Sequence, residues 1–99
     1  MKFEIVFKPE ARLDIMEIRD WYETNKANLG ETFIKSFFKS IDNIHENPKL
    51  YPDVYKNIRK CIIRNFPYSI FYIIAGKKVV ILSCMHFKRN PKTWKSRAK

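Results

Sequence analysis

Asn57–Arg97 reads NIRKCIIRNFPYSIFYIIAGKKVVILSCMHFKRNPKTWKSR, and the places where it breaks decide the fold. Asn65-Phe66-Pro67 interrupts it once, Ala75-Gly76-Lys77 a second time and Asn90-Pro91 a third. Between the breaks lie apolar, β-branched runs of strand length, at about 58–64, 68–75 and 78–86. Ala75-Gly76-Lys77 is a compact hairpin turn, so the last two runs pair as antiparallel neighbours. Pro91 to Lys99 is then a short basic tail with room for a turn or two of helix.

Upstream, Lys2–Phe7 alternates, with Phe3, Ile5 and Phe7 on one side, which predicts an N-terminal strand ended by Lys8-Pro9. Glu10–Asn25 is helical by period: Ala11, Ile15, Ile18 and Tyr22 share a face, and Leu13, Met16 and Trp21 widen it or form a second apolar patch. A turn over Asn25–Gly30 leads into a second helix, about Gly30–Glu46. Its stripe is Phe33, Ile34, Phe37, Ile41 and Ile44, with Phe38 beside it and Lys35, Lys39 and Asp42 on the other side. Asn47-Pro48 stops it, and Lys49–Lys56 reads as a loop. The expectation is one α+β domain over residues 1–99 in the order β-α-α-β-β-β: an N-terminal strand, an antiparallel helical hairpin, a three-stranded antiparallel segment and a short basic tail. The hairpin buries its stripe on one face of the sheet and leaves the other face to the charges.

Hydrophobic residues make up 45 % of the 99 and charged ones 30 %, a composition that folds. The net charge of +10 is unevenly spread. Residues 1–50 carry eight Lys/Arg against nine Asp/Glu; residues 51–99 carry twelve against one, Asp53. That asymmetry is an electrostatic footprint for nucleic acid, an acidic protein or a membrane surface. No apolar run approaches the ~20 residues of a membrane span, and the N-terminus MKFEIVFKPEA has no long apolar h-region. A cytoplasmic protein with no membrane partner is expected, with Cys61 and Cys84 reduced and buried in strands. Cys and His show no ligand spacing, so no metal and no cofactor are called for.

Alternation sorts the basic residues. Lys60, Ile62 and Arg64 should project from the open face, with Cys61 and Ile63 in the core and Arg59 reaching solvent at the strand's start. In the last strand Val80, Leu82, Cys84 and His86 should share one side. One chemistry these residues can support is metal-independent RNA cleavage. It needs an acid and a base, and cations against the charge of the phosphorane. The candidates are His86, the side-chain type that exchanges protons most readily near neutral pH, Arg64 and Arg89 as phosphate clamps, and Lys60 in support. Arg59, Lys88, Trp94 and Arg97 would bind RNA or another target, with Trp94, Phe87 or Tyr68 stacking a base. The second possibility is docking without catalysis, with Trp21, Tyr22 and Phe38 as apolar anchors. Plain nucleic-acid binding ranks last, since no recognised motif supports it.

The chain also resembles a known family. The pattern A-x-x-D-I-x-E-I-x-x-W-Y at Ala11–Tyr22 resembles the opening helix of RelE/ParE-type toxins. So do the run from Leu29 through Phe33 to Asn47-Pro48, then Ile58-Arg59, and Phe66-Pro67-Tyr68-x-Ile70-x-Tyr72. His86-x-x-Arg89-x-Pro91-x-x-Trp94-x-x-Arg97 completes the likeness, which covers nearly the whole chain in order. The resemblance implies the toxin of a type II toxin–antitoxin module, neutralised by a cognate antitoxin whose disordered segment folds around it, in a complex that can be of higher order. It also implies one of two targets, DNA gyrase for ParE-like members or mRNA on the translating ribosome for RelE-like ones. Arg64 and Lys60 match basic positions of the RelE-like strand. Ser69 stands where such nucleases have Arg, and Ile62 where they often have Lys. The long hairpin and the His86-x-x-Arg89-x-Pro91 ending resemble the ParE branch, so a ParE-like gyrase inhibitor is the expectation and a RelE-like endoribonuclease the alternative.

Overall fold

A computed structural model describes residues 2–98. Its elements run β1 (Glu4–Phe7), α1 (Pro9–Asn25), α2 (Leu29–Glu46), β2 (Asp53–Tyr55), β3 (Ile58–Ile62), β4 (Tyr68–Ala75), β5 (Lys78–His86) and α3 (Pro91–Lys95), followed by a 3-10 turn over Ser96–Ala98. Lys99, the end of the expected tail, lies outside the described residues. The strands form one mixed sheet in the order β1-β5-β4-β3-β2. β3, β4 and β5 are antiparallel neighbours, as the breaks in Asn57–Arg97 require, and β1 joins β5 in parallel.

Proline and asparagine set the element ends. Pro9 opens α1, where its missing N–H is no loss. Pro91 does the same for α3, and the Asn90 side chain caps that helix by accepting the Lys92 N–H. Between α1 and α2 the backbones come very close. A Cβ on Gly30 would lie 2.6 Å from the Arg19 carbonyl oxygen, and the Gly30 N–H donates to Glu23 Oε1 at 3.0 Å. Glycine lets the start of α2 lie against the end of α1.

The helices cover one face of the sheet. Ala11, Ile15 and Ile18 from α1 and Phe33, Phe37, Ile41 and Ile44 from α2 meet Cys61, Ile63, Ile70, Tyr72, Val79, Ile81 and Cys84 in one buried cluster. Leu13, Met16, Trp21 and Phe38 stay exposed. An aromatic group forms one end of this core: Tyr22 stacks on Phe33 at 5.8 Å, and both meet Phe66 and Tyr68. Tyr72, fully buried, donates its hydroxyl to the Pro48 carbonyl at 2.6 Å and so fixes the chain where it leaves α2.

Three expectations need correction. Lys49–Lys56 is not all loop, because Asp53–Tyr55 adds an edge strand. Three residues, one of them Asp and all partly or fully exposed, give no alternation to read. β5 does not alternate strictly either. Phe71 pairs with Ser83 and Tyr72 with Ile81, so Leu82 is the extra residue of a bulge. The bulge puts Val80 and Leu82 on the outer face and Cys84 on the helix face, whereas strict alternation kept all three together. Finally, the outer face is not left to charge. Ile58, Phe71, Leu82 and Met85 form a second apolar cluster there, and Tyr55, Ile73, Val80 and Trp94 pack on it. Trp94 of α3 stacks on Phe71 with centroids 4.3 Å apart and planes 11° from parallel.

Burial raises the pKa of both thiols and of several phenols, most strongly Cys84, from an ordinary 9.0, and Tyr72, from an ordinary 10.0. Cys84 lies beside the Asp14 carboxylate as well. A neutral group whose folded pKa is raised supports stability below its unfolded pKa and withdraws it as the pH climbs toward the folded one. The thermal midpoint is therefore expected to be level up to about pH 9 and to fall progressively above it, first through the thiols and then through the phenols. A calorimetric series across that range checks this, and replacing Cys84 with Ala should make the fall shallower, Cys61 still contributing.

Candidate functional site

The residues that sequence reasoning proposed for chemistry fall into separate places. Lys60 pairs in register with Phe71 on the outer face, where its Nζ lies 5.9 Å from the centre of the exposed Phe87 ring. Arg64, expected beside Lys60 on the open face, instead lines a cleft against α2 with Lys35 and Lys39, because β3 ends at Ile62 and strand alternation no longer holds there. His86 faces the helices: it pairs with Tyr68, whose ring it meets edge-on at 5.2 Å, and its Nδ1 accepts the Lys88 N–H at 3.0 Å. That bond leaves Nε2 as the protonated nitrogen of the neutral ring. Only Arg89 is brought to His86.

These two share a cleft of about 280 Å³ between α1 and the end of β5. Trp21, Glu17 and Asp14 line it from α1, with Tyr68 at its base. Trp21 is 59 % exposed and rests edge-on against Tyr22 at 5.2 Å. Tyr22 belongs to the core cluster, so it supports Trp21 from behind. Phe38, 49 % exposed, sits apart with Met16 in a shallow apolar groove beside Phe7 and Arg12. Lys88 is exposed next to His86.

Other candidates are engaged within the fold. Arg59 donates to the Lys49 and Tyr51 carbonyls and pairs with Asp53 at 3.4 Å, which ties the 49–53 segment to β3. Trp94 is half-buried on Phe71. Arg97 pairs with Asp14 at 2.6 Å, with only a fifth or less of either side chain exposed. Asp14 also accepts the Cys84 N–H at 3.1 Å, so one carboxylate joins α1, β5 and the chain end. Sequence alone does not single out Asp14. As one of five acids on α1, at the edge of its stripe, it reads as ordinary surface until β5 is placed beside it.

The α1–β5 cleft gathers residue types common in recognition surfaces. An aromatic ring, a guanidinium and a histidine line it with two carboxylates, of which Asp14 is already paired with Arg97. Tyr, Trp and Arg are the residue types that carry most energy in protein interfaces. Among the described residues no group of His, Cys, Asp and Glu converges to hold a metal ion. No helix there is long and apolar enough to cross a membrane.

Residues 5–91 match the family described as ParE toxin of type II toxin-antitoxin system, parDE. The chain belongs to this family. Solved structures agree in fold. A chromosomal ParDE toxin–antitoxin system from P. aeruginosa superposes with a TM-score of 0.78 at 15 % identity, over 86 % of this chain and 96 % of that one. The E. coli toxin RelE, as a double arginine-to-alanine mutant in the free state, gives 0.72 at 16 % identity over 99 % and 95 %. The same mutant in complex with a peptide of the antitoxin RelB gives 0.65 at 17 % identity over 100 % and 96 %. A comparison with curated protein sequences finds no significant match. At such identities the ParE and RelE branches share this architecture, and the fold does not choose between them.

In this ParE-family chain the Asp14–Arg97 pair should contribute measurably. Arg97→Met keeps the aliphatic stem and removes the charge, leaving Asp14 with the Cys84 N–H alone. A loss of about 1–2 kcal/mol is expected, since the pair is mostly but not fully withdrawn from water. Urea denaturation checks it, and the loss should change little in high salt if burial rather than surface attraction sets its size.

Proposed function

We propose that this protein is a toxin that acts by docking onto its target, with DNA gyrase as that target, and that a cognate antitoxin neutralises it. One observation carries the preference for docking over RNA cleavage: Lys60, Arg64 and the His86–Arg89 pair lie in three different places. Cleavage needs acid, base and phosphate-binding cations within hydrogen-bond reach of one scissile bond. Here Lys60 projects from the outer face and His86 from the helix face, on either side of the Phe87 ring. Ser69, where RelE-like nucleases resemble one another in having Arg, is 1 % exposed and supplies no cation. Glu17 lines the same cleft as His86 and Arg89, and its charge opposes a phosphodiester there.

The basic half fits an acidic antitoxin segment, which would fold against it and give up conformational entropy as it does so. Solved relatives include toxins in complex with antitoxins, in keeping with such a partner. A supercoiling assay with purified toxin tests the target. Inhibition that saturates with toxin and is reversed by the antitoxin is expected; full supercoiling at saturating toxin rejects gyrase. Mapping of mRNA 5′ ends after induction tests the alternative. New ribosome-dependent ends in arrested cells would restore the RelE-like reading, which Lys60 and Arg64 favour by sequence position.

A further inference from the structure

A second cleft, of about 320 Å³, lies between α2 and β3 on the far side of the sheet's order from the docking cleft. Lys35 and Lys39, one helical turn apart on α2, line it together with Arg64, and no acidic side chain does. Lys35 makes one exposed pair with Glu31 at 3.6 Å. Lys39 and Arg64 have no ion-pair partner among the described residues. Like charges at i,i+4 repel by a few tenths of a kcal/mol, which Glu31 offsets at Lys35 while Lys39 and Arg64 have no such partner among the described residues.

Neutral donors surround the same space. Ser36 and Asn43 lie on the same stripe of α2, and Tyr51 closes one end. The floor is Ser40, 5 % exposed, against Cys61, 3 % exposed. The strand edge contributes too. β2 pairs with β3 only at Ile58 and Arg59, and the Lys60 N–H reaches outward to the Pro52 carbonyl. By the two-residue period of a strand the Ile62 N–H points outward along the same edge, beyond the reach of β2.

We propose that this cleft binds the phosphate monoester of a small ligand about the size of a nucleoside monophosphate. A phosphate monoester carries roughly −1.5 to −2 charges and three strong acceptor oxygens. That matches three cations, one of them a guanidinium able to bind two oxygens at once, ringed by hydroxyl and amide donors. A carboxylate offers one charge and two oxygens and leaves the triad under-neutralised. The volume lies at the small end of ligand sites, roughly 300–1,000 Å³, which suits a compact ligand rather than a long polymer. The proposal goes beyond gyrase inhibition and does not depend on it.

The test is an amide NMR titration of the full chain with adenosine 5′-monophosphate, with adenosine and with acetate, at constant ionic strength. The monophosphate should give saturable shifts confined to residues 35–43 and 61–64, and the other two should not. Lys35→Ala and Lys39→Ala, both on the exposed side of a helix, should each weaken binding by about tenfold with the thermal midpoint unchanged. The proposal is overturned if millimolar monophosphate gives no saturable shift there, or shifts spread over the whole basic half. It is equally overturned if adenosine does as well, or if the Lys39→Ala protein binds as tightly as the parent.

Discussion

Phe33→Ala should lower the free energy of unfolding by about 4 kcal/mol, the scale set by burying and then deleting a large aromatic side chain. Phe33 is fully buried. Its ring lies 5.8 Å from Tyr22, 5.3 Å from Phe66, 5.9 Å from Tyr68 and 6.3 Å from Phe37. It therefore joins α1, α2 and the turn before β4. Those neighbours are themselves rings with fixed centroids, and such a group collapses poorly around a void, so the cavity penalty should add to the lost transfer free energy. For a chain of this size total stability is on the order of 5–15 kcal/mol, and a large share would go. Urea denaturation followed by circular dichroism measures it. A loss below about 1.5 kcal/mol would mean that the aromatic group relaxes into the space, contrary to close packing at that end of the core. The variant should also loosen the docking cleft, because Tyr68 forms its base and holds the edge of His86.

Much of this architecture was written in local patterns. Phe33, Phe37, Ile41 and Ile44 repeat at helical spacing and are buried as that spacing predicts. Asn65-Phe66-Pro67 and Ala75-Gly76-Lys77 mark strand ends within a residue or two, and the two free cysteines are buried in strands. What was not legible depends on contacts between distant segments. The bulge at Leu82 arises from the register of β5 against β4, and nothing in Val80–Cys84 itself announces it. The covering of the outer face by Trp94 depends on α3 folding back, and the same residue in an extended tail would read as a free aromatic. Lys35 and Lys39 look like a solvated helix face until β3 brings Arg64 opposite them. Charge counting located the basic half correctly, but it treated as one surface what the fold divides among the outer face, two clefts and internal ion pairs.

Trp21→Ala should reduce inhibition of the target by about 30-fold, equivalent to roughly 2 kcal/mol of binding for an interface anchor. Stability should hardly change, because 59 % of Trp21 is exposed and Tyr22, its support, remains in place. The same cleft supplies Arg89, a residue type enriched with Trp and Tyr among interface anchors, and Arg89→Ala should act in the same direction. The two single variants are expected to be non-additive, since both line one cleft and serve one contact. Lys60→Ala separates docking from cleavage. Lys60 lies on the outer face away from Trp21, so a docking toxin should tolerate its loss within a few-fold, whereas a nuclease that uses it against phosphorane charge should lose about 10²-fold or more. Growth arrest after controlled induction, read beside supercoiling inhibition by the same purified variants, gives both answers. Full arrest by the Trp21→Ala protein together with none by the Lys60→Ala protein would reverse the assignment, moving function from the α1–β5 cleft to the outer face of the sheet.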